Sequence, residues 1–239
     1  LRRLSRPLST ASSALKLHTR LLDGPAGASE PPLLVLHGLF GQGGNFQSVG
    51  RKLAAAGRSV VLADLRNHGA SPWDADASLS AMADDVAALI SSLGAPAVSL
   101  CGHSLGGGTA TLIALRAQAA GLAPELVTVA GPRLGNAAFA AHFREQCSEA
   151  VHLYHDDDDV LKSNRELWDN LGFEHVGREV RVDMSAPCVY VDGDADSCAT
   201  DAAFAPSDMS LKGVLVDHCT YMGTYIGLRP QYFPQFMRW

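Results

Sequence analysis

Gly102-His103-Ser104-Leu105-Gly106 sets a serine between two glycines, at the point where one periodicity gives way to another. Ala97 to Cys101 is a run of small and apolar residues that predicts a short buried strand. From Leu105 the pattern is helical, with Leu112, Ile113 and Leu115 among Ala and Thr. A sharp strand-to-helix turn needs small residues on both sides of the serine, because side chains there would collide with strand or helix. Such a turn lifts the Ser104 hydroxyl off the sheet edge and points it at free helix N–H groups, which favour developing negative charge. The chemistry is that of a nucleophile. The competing reading is a glycine-rich turn that carries an incidental serine.

A serine hydroxyl at its ordinary pKa attacks poorly, so it needs a base, and the base needs an acid to orient it. Nine histidines compete for the first role. His18 lies in a basic leader, His37, His68 and His103 in loops or the turn itself, His142 in a helix, and His152 and His155 on a strand. His175 and His218 remain. For the acid, Ala150 to His155 predicts a strand, and Asp156, Asp157, Asp158 and Asp159 follow it. A run of four acids is ordinarily a solvated face, but a loop acid after a strand is also where such a site needs one. Asp196, after the apolar stretch Cys188 to Val191, is a separate candidate.

Several elements must position these residues. Leu33 to His37 predicts a buried strand, Phe46 to Gly57 a helix, Ser59 to Asp64 a strand, and Leu79 to Leu93 a helix with Met82, Val86, Leu89 and Ile90 on one face. Strands alternating with helices imply an α/β fold, a mostly parallel central sheet with helices on both faces. Between Gly131 and His155 the sequence offers only a turn and one helix (Ala137 to Gln146), so no substantial cap or lid is expected over the serine. The site should be shallow and open to water.

The chain of 239 residues is 47% hydrophobic and 18% charged, as expected of a globular domain with a sizeable core. No uninterrupted apolar run approaches the ~18 residues of a membrane span. Cys101, Cys147, Cys188, Cys198 and Cys219 form no C-x-x-C pair, which argues against a disulfide framework or a structural zinc site. Residues 1–22 differ from the rest: Arg2, Arg3, Arg6, Lys16 and Arg20 occur among serines with no acid before Asp23. Leu1, Leu4, Leu8, Ala11 and Leu15 recur at helical spacing. This is the composition of a transit peptide, so residues 1–22 are expected to be a disordered targeting leader to mitochondria, or alternatively plastids, ahead of a domain over 23–239. Without a working leader the protein would be cytoplasmic. Residues 1–22 carry five positive charges and no acid, so the chain's net charge of −6 leaves −11 on the remainder, too acidic to suit nucleic acid.

The order of elements, with Leu36-His37-Gly38-Leu39-Phe40-Gly41 after the first strand, resembles the α/β-hydrolase superfamily. From about Leu17 to Thr111 the likeness is to the mitochondrial type of α/β-hydrolase-domain protein, carried also by Arg20 to Gly24, Asn45-Phe46, Arg66 to Pro72 and Gly102 to Gly107. That resemblance implies an oxyanion hole from the backbone N–H groups of Leu39 and Leu105. From Val127 to Tyr225 the chain resembles the class 3 (fungal-type) lipases, in Val127 to Asn136, Asp158-Asp159-Val160, Gly172 to Val180 and Asp217-His218-Cys219-Thr220-Tyr221. It departs from them at Leu161-Lys162, and their N-terminal half is absent. The lipase pattern implies His218 as the base and Asp158 as the acid, with Asp159 and Asp196 as alternatives and His175 on an edge hairpin.

Together these features predict a serine ester hydrolase of lipase or carboxylesterase type. Ser104 attacks an acyl carbonyl, His218 shuttles the proton, and water completes turnover, with no metal or organic cofactor. The substrate is a small-molecule or lipid ester, a range compatible with peripheral contact with a membrane. Two other classes compete. Gly38, Gly41, Gly43 and Asp64 make a weak match to a dinucleotide-binding turn with a ribose acid. A non-catalytic interaction protein on a decayed hydrolase fold is the second, and labelling of Ser104 by a fluorophosphonate would separate it from an enzyme.

Overall fold

Four-residue apolar runs such as Leu33–Leu36 and Val60–Ala63 can bury every side chain only inside a sheet covered on both faces, and that is where they lie. The structure is a computed structural model and describes residues 14–26, 30–122, 124–155, 158–183, 188–191, 194–198, 220–221 and 224–225. The strands are β1 (Thr19–Leu22), β2 (Leu33–Leu36), β3 (Val60–Ala63), β4 (Ser99–His103), β5 (Leu126–Val129), β6 (Gly135–Asn136), β7 (Ala150–Tyr154), β8 (Phe173–Glu174), β9 (Arg178–Asp183), β10 (Cys188–Val191), β11 (Asp194–Cys198), β12 (Thr220–Tyr221) and β13 (Thr224–Tyr225). The helices are α1 (Gln47–Ala55), α2 (Leu79–Leu93), α3 (Leu105–Ala119), α4 (Ala137–Gln146) and α5 (Asp159–Asn170), with a 3₁₀ turn at Gly43–Phe46 ahead of α1.

The main sheet has the order β1-β3-β2-β4-β5-β7-β9-β10-β11. From β3 to β9 every neighbouring pair is parallel, while β1, β10 and β11 add antiparallel edges. Alternate residues feed two layers. Leu34, Leu36, Val61, Ala63, Leu100 and Leu126 pack with Met82 and Val86 of α2, Ala110 and Ile113 of α3, and Ala140 and Phe143 of α4. On the other face Val35, Val60 and Leu62 meet Phe46 and Ala54, and Val129 and Ala130 meet Leu161 of α5. Helices therefore cover both faces, as the alternation of elements requires. Among the described residues no helix is long and apolar enough to cross a membrane.

Two boundaries differ from the sequence expectation. The central strand runs on to His103, so the serine follows the strand without an intervening loop. At the amino terminus the expected disorder of residues 1–22 does not extend over residues 14–22. Thr19–Leu22 pairs antiparallel with β3, Leu17 is buried, and the N–H of Leu15 donates to Asp85 at 2.6 Å. These residues are part of the domain, which reaches back past residue 23; residues 1–13 lie outside those described. The interval between β5 and β7 holds α4 and the two-residue β6, and α4 buries Ala140 and Phe143 completely, so it is body and not cap.

Asp85 does more than receive Leu15. Its carboxylate accepts from Arg66 Nε at 2.6 Å and Nη2 at 2.7 Å, with both side chains essentially buried. Arg66 also donates to the carbonyl of Asp76, and Asp85 holds its guanidinium above the usual arginine pKa. Removing one partner of a buried, doubly bonded pair strands the other charge. Asp85→Ala should therefore destabilise the domain by about 3–5 kcal/mol in urea unfolding. Asp84→Ala, at the half-exposed pair with Arg116, should cost under about 1 kcal/mol.

Candidate active site

The C-terminal ends of the parallel strands carry unusual backbone. Among the described residues, non-glycine positions with positive φ are Phe40 (63°), Asn67 (64°), Ser104 (51°) and Ala130 (50°). They follow β2, β3, β4 and β5 in turn, so the conformations that L-residues avoid gather on one edge. Each costs about 1–3 kcal/mol and persists only where the surroundings impose it.

At Ser104 the imposing groups can be named. A Cβ on Gly102 would lie 2.2 Å from the carbonyl oxygen of Gly106, and one on Gly106 would lie 2.4 Å from that of Leu36. Only glycine at both positions lets α3 start this close to β2 and β4. The Ser104 N–H donates to the Val129 carbonyl at 2.9 Å, and its own carbonyl accepts from Gly107 and Gly108 as the first turn of α3 begins. Ser104 is partly exposed at φ 51°, ψ −120°, at the N-terminus of a fifteen-residue helix. This is the geometry the glycine spacing called for.

The loop after β2 comes up against the serine. A Cβ on Gly38 would sit 3.0 Å from Ser104 Cβ and 2.7 Å from His103 Nδ1. Gly38 to Gly41 is a tight turn closed by Gly41 N–H on the Gly38 carbonyl at 3.0 Å, with Phe40 at φ 63°. Leu39, named as an oxyanion donor, is thus in the turn beside Ser104 with its side chain 56% exposed. Leu105, the other donor, is the first residue of α3.

His37, at the base of this turn, is fully buried and is not a general base. Its Nε2 accepts from the Leu65 N–H at 2.9 Å, so the proton is on Nδ1, which donates to the Gly38 carbonyl at 2.8 Å. Burial lowers its pKa to about 4 and keeps the ring neutral. Asp64 is spent in a comparable way. Its Oδ1 accepts from Gly43 N–H at 2.7 Å and its Oδ2 from Ala70 N–H at 2.9 Å. The dinucleotide reading loses its ribose acid, since both carboxylate oxygens hold loops of this chain.

Asp158, proposed acid, lies just beyond the C-terminal end of β7 and is completely buried. It is the N-cap of α5: Oδ1 accepts from Val160 N–H at 3.0 Å and Leu161 N–H at 3.1 Å. Asp159 is the first residue of α5. Asp196 stands within β11, where the register with β10 shifts, instead of in a loop after a strand. His218 lies outside the described residues. His175 stacks on His152 at 3.9 Å and meets the Trp168 edge at 6.5 Å. Burial, with Arg133 and Arg165 nearby, lowers its pKa to about 4. Among the described residues no group of three or more His, Cys, Asp or Glu is arranged to hold a metal ion.

The structure therefore brings Ser104, Leu39 and Leu105 together and sets Asp158 on the same sheet edge. The sequence reading had no role for His37, and saw Asp64 only in the dinucleotide alternative. Their partners lie 28 and 21 residues away, and no local pattern announces such contacts.

The profile of a family described as alpha/beta hydrolase fold matches residues 31–170. The sn-1-specific diacylglycerol lipase ABHD11 of Mus musculus is 42% identical over 127 residues, covering 48% of this chain and 41% of that protein. Esterase YbfF of Escherichia coli (strain K12) is 30% identical over 115 residues, covering 48% of this chain and 44% of that protein. The chain thus spans less than half the length of these curated relatives. A thermophilic esterase from Thermogutta terrifontis superposes with TM-score 0.50 over 70% of this chain and 85% of its own, at 14% identity, a likeness of fold alone.

Burial holds three histidines neutral: His37 and His175 to about 4, and His152 well below its ordinary value. Below the ordinary value of 6.5 the unfolded chain binds protons that the folded chain refuses. Stability should be full above pH 6.5 and fall as the pH drops toward 4, with His37 alone accounting for about 3 kcal/mol. Urea unfolding of the parent and His37→Gln at pH 7, 5.5 and 4.5 checks this; the variant should show a shallower pH slope.

Proposed function

This chain belongs to the alpha/beta hydrolase fold family, and from that premise we propose that it is a serine ester hydrolase. Ser104 attacks an acyl carbonyl, His218 takes and returns the proton, and Asp158 holds the imidazole. The Leu39 and Leu105 N–H groups receive the oxyanion, each donor being worth about 10²–10³-fold in rate. The observation that carries the reading is Ser104 itself. It is a non-glycine residue at φ 51° on a turn that glycines alone permit, with the Gly38–Leu39 turn against its Cβ. Two relatives whose names state ester or acylglycerol hydrolysis support the reaction class.

Finer parts of the reading stand beside it. The second half keeps its resemblance to class 3 lipases, from which the role of His218 comes. Asp158 is preferred to Asp159 and Asp196 because it is buried just beyond the end of β7, where a carboxylate can orient an imidazole away from water. With α4 packed into the body, short and medium acyl esters should reach the serine without a jump in rate at their solubility limit. The basic segment ahead of the domain serves as a mitochondrial leader.

Fluorophosphonate labelling and turnover of acyl esters of increasing chain length test the proposal. Ser104→Ala should abolish both while the fold persists, and turnover near the parent's would sink the assignment. His218→Ala should be as damaging as the serine change, because members of a triad act as a unit, and His175→Ala should be mild. Asp158→Asn should lower kcat more than Asp159→Asn or Asp196→Asn. Absence of labelling in the parent would favour the non-catalytic alternative.

The leader has its own test. A reporter fused behind residues 1–22 should be carried into mitochondria or plastids, and one left in the cytosol counts against the localisation.

A further inference from the structure

The turn that presents Leu39 is strained and short. Phe40 stands at φ 63°, and a backbone bond from Gly41 N–H to the Gly38 carbonyl closes it. On the hydrolase reading the Leu39 N–H must face the serine, and a turn holding a non-glycine residue at positive φ keeps its conformation only where its surroundings impose it. Two buried side chains tie it down at opposite ends. His37 bridges the Leu65 N–H and the Gly38 carbonyl before the turn, and Asp64 grips Gly43 N–H after it. The second oxygen of Asp64 holds Ala70 N–H in the neighbouring loop.

That loop is a firm anchor. The Asp64 N–H donates to the His18 carbonyl at 2.9 Å, and Ser71 Oγ donates to the Asp64 carbonyl at 2.6 Å while accepting from His18 N–H at 2.8 Å. Gly69, at φ 54°, passes so close to the carboxylate that a Cβ would lie 2.2 Å from Oδ2. A carboxylate that accepts two backbone N–H groups is a strong and directional tie. Resting on the hydrolase reading above, we infer that Asp64 is a positioning residue for the oxyanion hole. It acts as a clamp that holds the Leu39 turn in the conformation that receives negative charge. Its contribution appears in the transition state and not in substrate binding.

The test uses the full chain, p-nitrophenyl butyrate and an alkyl trifluoromethyl ketone that forms a tetrahedral adduct with the serine. Asp64→Asn should lower kcat about 10- to 100-fold, leave KM within about twofold, and weaken the ketone by the same factor as kcat. A folded Asp64→Asn with kcat and ketone affinity both within about twofold of the parent overturns the clamp. So does a kcat loss that merely equals the loss of fluorophosphonate-titratable sites, because that is a folding defect. If Asp64→Asn does not fold, Gly43→Pro decides, since it removes the gripped N–H at the first position of the 3₁₀ turn, where proline is tolerated. Gly43→Ala brings similar crowding but keeps the N–H. Pro should lose kcat and ketone affinity relative to Ala, and equal values overturn the clamp. A parent that fluorophosphonate does not label overturns the hydrolase reading and the clamp together, whereas a labelled parent with an unaffected Asp64→Asn overturns the clamp alone.

Discussion

The close approach of α3 to the strands beneath it governs this structure. Its first turn starts within contact of the Leu36 and His37 carbonyls, and no side chain fits between. Gly102 and Gly106 are therefore fixed by sterics, and Ser104 between them is driven into a left-handed conformation. Everything else on that edge follows from the crowding. The loop after β2 must turn sharply at Gly38 to avoid His103, which brings Leu39 beside the serine. The strain this creates is offset by the two-layered core, whose alternate residues hold the six parallel strands from both sides.

The parallel sheet and the elbow were legible because their signals are local. Continuous apolar runs such as Leu33–Leu36 imply burial on both faces, and the glycine–serine spacing marks the turn without reference to the remaining chain. β1 was misread for an equally physical reason. Thr19–Leu22 is a strand with one partner among the described residues and a half-exposed pattern, so its residues read as a continuation of the basic segment before them. α5 also went unseen. Its apolar stripe is thin, Leu167 is 54% exposed, and four acids mask its start. Asp158 illustrates the overlap of roles: a buried acid at a helix N-terminus satisfies N–H groups whether or not it also serves a histidine.

The polar interior has a division of labour that composition cannot disclose. His37 and Asp64 join segments remote in sequence through side-chain hydrogen bonds to backbone groups. His152 and His175 stack under Trp168 and Arg133 on the far side of β5, where burial holds them uncharged. Ionisable residues are used here mainly as neutral or fully paired fasteners. That is why counting histidines and acids in the sequence leaves so many candidates for so few chemical roles.

The bond from Leu15 to Asp85 sets a limit on how far the amino terminus can be shortened. Asp85 sits at the heart of α2 and receives Arg66 on both oxygens, so the Leu15 N–H completes a buried charged cluster. A cleavage that leaves the peptide bond between Ala14 and Leu15 intact keeps that donor in place. A cut after Leu15 would withdraw a backbone donor from that carboxylate and replace it with a new terminal amine one residue away. The domain is thereby tied, through a single peptide group, to residues ahead of its first strand.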